Sequence, residues 1–177
     1  MKKIGVVAIL ILIFLILYFF QANFFSFFTI AGIKPNLFII FTLIIGLYAG
    51  RTLGMTLGII FGLILDFVGS KYIGITSVML GIAGFLGGYF DKTFSKDSRI
   101  TVILMIVGST ILCESIYYFW NILKTQNEIE YLNFIKIVLI ETIYNILLTI
   151  IIYPLIQKFG YRLEENFKEK KVLTKYF

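Results

Sequence analysis

Between Gly46 and Phe90 the chain reads GLYAGRTLGMTLGIIFGLILDFVGSKYIGITSVMLGIAGFLGGYF. Gly46, Gly50, Gly54, Gly58 and Gly62 recur every fourth residue, and Asp66 takes the next step. Gly69, Gly74, Gly81, Gly84, Gly87 and Gly88 follow. In a water-exposed helix each glycine would cost about 1 kcal/mol relative to alanine. In lipid the balance differs, because the surrounding tails are as apolar as leucine. Helices there associate by close packing, which small residues one turn apart permit. The ladder therefore predicts membrane helices in backbone contact. Gly50, Gly54, Gly58, Gly62 and Gly74 become candidates for packing within the chain or for docking a partner's helix. Asp66 is the exception, a carboxylate ending a glycine ridge inside an apolar run.

Composition agrees with a bilayer setting. Hydrophobic residues make up 59% of the 177, and the mean hydropathy is +0.96, well above the roughly half-apolar mix of soluble domains. The class is an all-α integral membrane protein with a single transmembrane domain over 1–177. The absence of histidine removes imidazole metal sites and histidine general bases. A lone Cys113 makes no internal disulfide. The net charge of +6 lies in residues that flank apolar runs, so it marks topology rather than a nucleic-acid surface.

Six helices are predicted, at about 4–20, 36–49, 53–68, 73–90, 100–123 and 134–156. The first has a signal-like charge and apolar core but no small-x-small cleavage site, and is read as an uncleaved helix. Phe24, Phe25, Phe27 and Phe28 follow it as an interfacial aromatic cluster. Pro35 opens the second helix, and Gly50-Arg51-Thr52 breaks it from the third. With six spans, one side collects Lys2, Lys3, Arg51, Lys92, Lys96, Arg99, Lys158, Arg162, Lys168, Lys170, Lys171 and Lys175. The other collects only Lys34, Lys71, Lys124 and Lys136. The positive-inside rule then puts both termini in the cytoplasm. The tail 157–177 carries Phe159, Leu163 and Phe167 among basic residues. That pattern suits a surface helix held by anionic lipid, or a plain positive-inside anchor.

Three acidic residues fall inside the spans: Asp66, Glu114 and Glu141. A carboxylate at a helix centre costs about 2.5–3.5 kcal/mol to insert, so each is a functional candidate. With the orientation above, all three lie in the outer half of the membrane. Thr110, Glu114, Tyr117 or Tyr118, and Asn121 share one helix face by spacing, and Glu141, Asn145 and Thr149 share another. Two such faces meeting would make a polar interior, with Asp66, Glu114, Tyr118, Glu141 and Asn145 as its candidates. The alternative is that these groups only fasten the bundle, with Lys71 or Lys136 as counter-charge. No nucleophile–base pair or phosphate-binding loop is present, so no catalytic, cofactor or metal residues are expected.

The ordered set Lys34-Pro35-Asn36-Leu37, Gly50-Arg51, Gly58-x3-Gly62-x3-Asp66, Gly74, Gly87-Gly88-Tyr89 and Glu114-Ser115-Ile116-Tyr117-Tyr118 resembles the rod shape-determining protein MreD family. The resemblance covers about Asn36–Asn121, and Asp66 and Glu114 fall on the acidic places of the family pattern. It implies a non-enzymatic subunit of the bacterial cell-elongation machinery in the cytoplasmic membrane. That subunit works with the bitopic protein MreC, near MreB and the RodA–penicillin-binding-protein synthase that builds lateral peptidoglycan. It further implies a fold similar to the six-helix S components of energy-coupling-factor vitamin transporters. An S component that captures a vitamin is the alternative function. Against it stands the bulky first helix, which lacks the Ala-x3-Ala ridge such components commonly carry.

Overall fold

The computed structural model describes residues 2–69, 72–90, 98–125 and 130–167. Six main helices make up nearly all of it: α1 (Lys2–Phe19), α2 (Leu37–Ala49), α3 (Arg51–Gly69), α4 (Ile75–Phe90), α5 (Arg99–Thr125) and α6 (Tyr131–Phe167). Four segments are long and apolar enough to cross a membrane: Gly5–Phe27, Arg51–Gly69, Arg99–Lys124 and Tyr131–Phe167. The other two, α2 and α4, are shorter. At 1.5 Å per residue α2 reaches only about 20 Å, against a hydrocarbon thickness of about 30 Å. It does not need to face lipid, because all thirteen of its residues are buried. Its apolar surface is covered on every side by neighbouring helices, and it forms the centre of the core.

Around that centre α2, α3 and α4 pack backbone to backbone. A Cβ added to Gly62 would run into Ser77 Cα, one on Gly58 into the Leu80 carbonyl, and one on Gly54 into Gly84 O and Gly46 Cα. Each turn of α3 thus meets one turn of the antiparallel α4. On the other side of α4, Gly84 and Gly88 meet Gly46, and Gly87 meets the Leu43 carbonyl, both on α2. The ladder is consumed inside the chain. Gly54, Gly58 and Gly62 are buried and pack within the chain. Gly50 and Gly74 serve differently. With φ of +98° and +99° they occupy backbone space that a Cβ would strain. Gly50 alone separates α2 from α3, while Arg51, expected in the break, already begins the helix.

Several boundaries differ from the sequence reading. The first helix continues through a π turn, Phe20–Phe24, and one further α turn, Phe25–Phe27. The predicted interfacial cluster is therefore largely its last turns, with Phe25 buried and Phe27 exposed. The chain then reverses at Ala31-Gly32, where Ile30 and Ile33 exchange two backbone hydrogen bonds of 3.0 Å. At the far end α6 runs through Pro154 to Phe167 instead of ending near Ile156. Leu163 is fully buried, Phe159 and Phe167 pack on the core, and Gly160 lies against the Tyr48 ring. Residues 157–167 are hence the last turns of a core helix and not a separate surface helix. The rest of the expected tail lies outside the described residues, as do Lys71, Lys92 and Lys96.

Candidate functional site

The structure separates the intramembrane carboxylates. Asp66, at the end of α3 and only 2% exposed, sits beneath the start of α4. Its Oδ2 accepts from the Gly74 and Ser77 amides at 2.8 and 3.1 Å, and its Oδ1 from the Thr76 amide at 3.2 Å. The first amides of a helix lack partners within it, and the positive end of its dipole favours an anion. Asp66 supplies both needs from the neighbouring helix. It is the next rung of the ladder: where the glycines of α3 run out, α4 begins, and a carboxylate replaces backbone contact. The conformation of Gly74 turns its amide onto that carboxylate.

Glu114 and Glu141 do come close to each other, across the seam between α5 and α6. Asn36 and Asn145 lie beside Glu141. Asn145 Nδ2 donates to Thr110 Oγ1 at 3.0 Å, and its Oδ1 accepts from the Asn36 amide at 2.8 Å. Thr149 Oγ1 donates to the Asn145 carbonyl at 2.6 Å. The seam is thereby tied to the start of α2, which Asn36 caps by accepting from the Ile39 amide at 3.3 Å. Gln21 completes that end, donating to the Pro35 carbonyl at 2.7 Å and accepting from the Leu37 amide at 3.3 Å.

The network is incomplete. Glu141 is 6% exposed, yet its Oε1 has no hydrogen-bond partner. The Thr142 and Tyr118 hydroxyls are likewise buried and unpartnered. Neither Glu114 nor Glu141 pairs with a lysine or arginine among the described residues, and Lys136, named as a possible counter-charge, is exposed. The Tyr118 ring stacks on Phe134, with centroids 4.3 Å apart, one turn beyond Glu114 toward the C-terminal end of α5.

Of the sequence candidates, the structure brings Glu114, Glu141, Asn145, Thr110 and Thr149 together, and Tyr118 lies beside them. Asp66 stands apart, and Tyr117 is exposed. Asn36 and Gln21 belong to the network but were not singled out as site residues. The signal for Asn36 was available, since Asn directly before an apolar helical run is a preferred N-cap. The arrangement offers hydrogen-bond acceptors to a donor. Among the described residues, no group of three or more His, Cys, Asp or Glu comes together to hold a metal.

A multi-helix membrane protein with a glycine-packed centre and a partly satisfied polar seam is the class that fold and site define. The family model for the rod shape-determining protein MreD matches residues 1–162, and the chain belongs to that family. It is a rod shape-determining membrane protein. Neither curated proteins nor solved structures yield a match.

Proposed function

We propose that the chain is a non-enzymatic membrane subunit of the bacterial cell-elongation complex, partnering an MreC-like bitopic protein. Through that partnership it acts on lateral peptidoglycan synthesis, in the neighbourhood of MreB and the RodA–penicillin-binding-protein synthase. The observation that carries this reading is the family match over nearly the whole chain.

The setting we propose is the bacterial cytoplasmic membrane, with both termini inside. Arg51 begins α3 against Gly88, Arg99 lies 5.3 Å from the Tyr153 ring centroid, and Lys158 and Arg162 flank the turn where Gly160 meets Tyr48. These four cations share one end of the bundle, as the positive-inside rule requires of a cytoplasmic face. Lys34 is at the other end, donating to Ser26 Oγ at 3.1 Å.

The test is to tag the chain in its own host, extract it in mild detergent and identify what co-purifies by mass spectrometry. An MreC-like protein with RodA or a penicillin-binding protein is the expected recovery. Paired ATPases with a membrane coupling subunit would make the chain a transporter component instead.

A further inference from the structure

Two grooves on the flanks of the bundle each hold a glycine and a serine, and the chain completes one of them. Between α3 and α4, along Met55, Ile59 and Phe85, the Ser77 hydroxyl donates to the Ile59 carbonyl at 3.0 Å. The Ile59 side chain covers Gly81 in the same groove. Between α4 and α5 a groove of about 450 Å³ has Leu86 and Phe90 on one wall and Thr101, Leu104, Gly108 and Ser109 on the other. Here the hydroxyl of Ser109, a residue only 1% exposed, has no hydrogen-bond partner. Gly108 has nothing within 4 Å of where a Cβ would stand.

Gly108 differs from the other glycines that have open space around them. Gly5, Gly32, Gly50, Gly69 and Gly74 lie in turns or in the end turns of helices. Gly108 lies nine residues into α5 from Arg99, roughly 14 Å along the helix. A glycine in mid-helix gives up backbone freedom without adding a side chain to pack. Inside a membrane that loss is offset where a second backbone comes close.

Depth and spacing narrow the occupant. At that level neither water nor a lipid headgroup supplies a hydrogen-bonding group. A lipid tail can fill an apolar groove, yet it offers a hydroxyl nothing and packs on leucine as well as on glycine. Thr101, Gly108 and Ser115 recur every seventh residue along α5. Between them stand Leu104, 65% exposed, and Ile111, 44% exposed. A seven-residue period keeps one face toward a second helix crossing at about +20°. It means nothing to a lipid tail. A lone membrane-spanning helix enters such a groove with its flanks free, whereas a second copy of this chain brings a six-helix bundle with it.

We propose that the α4–α5 groove is the docking site for the single membrane-spanning helix of a bitopic partner, which sets a small residue (Gly, Ala or Ser) against Gly108. The close approach brings a backbone carbonyl or a small hydroxyl of that helix to the wall that Ser109 lines, where the unpartnered hydroxyl can donate. The inference rests on the reading of the chain as a subunit that partners a bitopic protein.

The experiment is co-purification from the native host with the unaltered chain and with Gly108→Leu, alongside thermal unfolding of each purified subunit. The open space around Gly108 lets the variant unfold within a few degrees of the unaltered chain. Its recovery of the bitopic partner is expected to fall at least ten-fold. Undiminished recovery with a folded variant overturns the proposal and leaves the complex-subunit reading standing. No bitopic partner with the unaltered chain overturns both.

Should Gly108→Leu fail to fold, a cross-link decides. A photo-reactive residue replaces the exposed Leu104 in the otherwise unaltered chain, and the adducts are mapped after irradiation in cells. The expected adduct lies within the apolar span of the bitopic partner. Adducts with lipid alone overturn the proposal, because a tail is then the occupant. Adducts with a second copy of this chain in place of the partner overturn it as well.

Discussion

The glycine block of α2, α3 and α4 and the polar seam of α5 and α6 solve the same problem in opposite ways. Lipid gives neither a hydrophobic reason to associate. The block responds by removing side chains. Gly46, Gly54, Gly58, Gly62, Gly84, Gly87 and Gly88 bring backbones into contact, and Asp66 satisfies the amides where α4 starts. Each of these seven glycines has its partner within the chain. The seam instead uses long polar side chains, and Glu141, Thr142 and Tyr118 leave oxygens over. Saturated packing belongs to the fold; Gly108 and Ser109 on α5, left open, are where a second molecule has something to add.

The contrast breaks most visibly at Gly58 and Gly62. Leucine at either position drives a side chain into the Leu80 carbonyl or Ser77 backbone. Overpacking a close-packed interior costs about 1–3 kcal/mol and more where backbone obstructs. Neither variant is expected to elute as a monodisperse folded protein. Asp66→Ala comes next. It strips the acceptors from three amides, two of them held by a single oxygen. A loss of about 2–3 kcal/mol is expected as a lower unfolding temperature, from the usual cost of a lost helix cap or an unpaired buried donor.

On the seam, Asn145→Ala severs its bonds to Asn36 and Thr110. A cost of about 1–2 kcal/mol is expected, since hydrogen bonds between membrane helices are individually modest. The smallest effect sharpens the comparison within one residue type. Gly108 on α5 is exposed and has nothing within 4 Å of where a Cβ would stand. Gly108→Ala is expected to leave the protein as stable or to stabilise it by up to about 1 kcal/mol. Gly84→Ala, facing the Gly54 carbonyl, is expected to destabilise it. Thermal unfolding of the two alanine variants side by side checks both signs.

Much of this was legible in the sequence, and the reasons are specific. A four-residue glycine period names a packing face without saying whose backbone lies opposite it. Partner docking and internal packing therefore read alike until Gly62 is seen against Ser77. Asp66, Glu114 and Glu141 look equivalent as acidic residues in apolar runs. What separates them is the register between helices, which places Asp66 under the amides of α4 and Glu114 beside Glu141. The spacing of Thr110 with Glu114 and of Glu141 with Asn145 did put each pair on one face, and those faces meet. The extent of α6 was hidden because Lys158, Arg162 and the acidic residues around them resemble a solvated tail. Leu163 and Gly160, packed against Tyr48 and the core, outweigh those charges.

The most direct test compares the two surfaces in living cells. A photo-reactive residue is placed in turn at Ser115, beside Glu114, and at Ile60, on the exposed face of α3 away from the seam. Irradiation is followed by detection of cross-linked membrane partners. A strong adduct with another shape protein from Ser115 and little or none from Ile60 is the predicted result. An adduct from Ile60 with none from Ser115 would contradict it, placing the docking face on the glycine block.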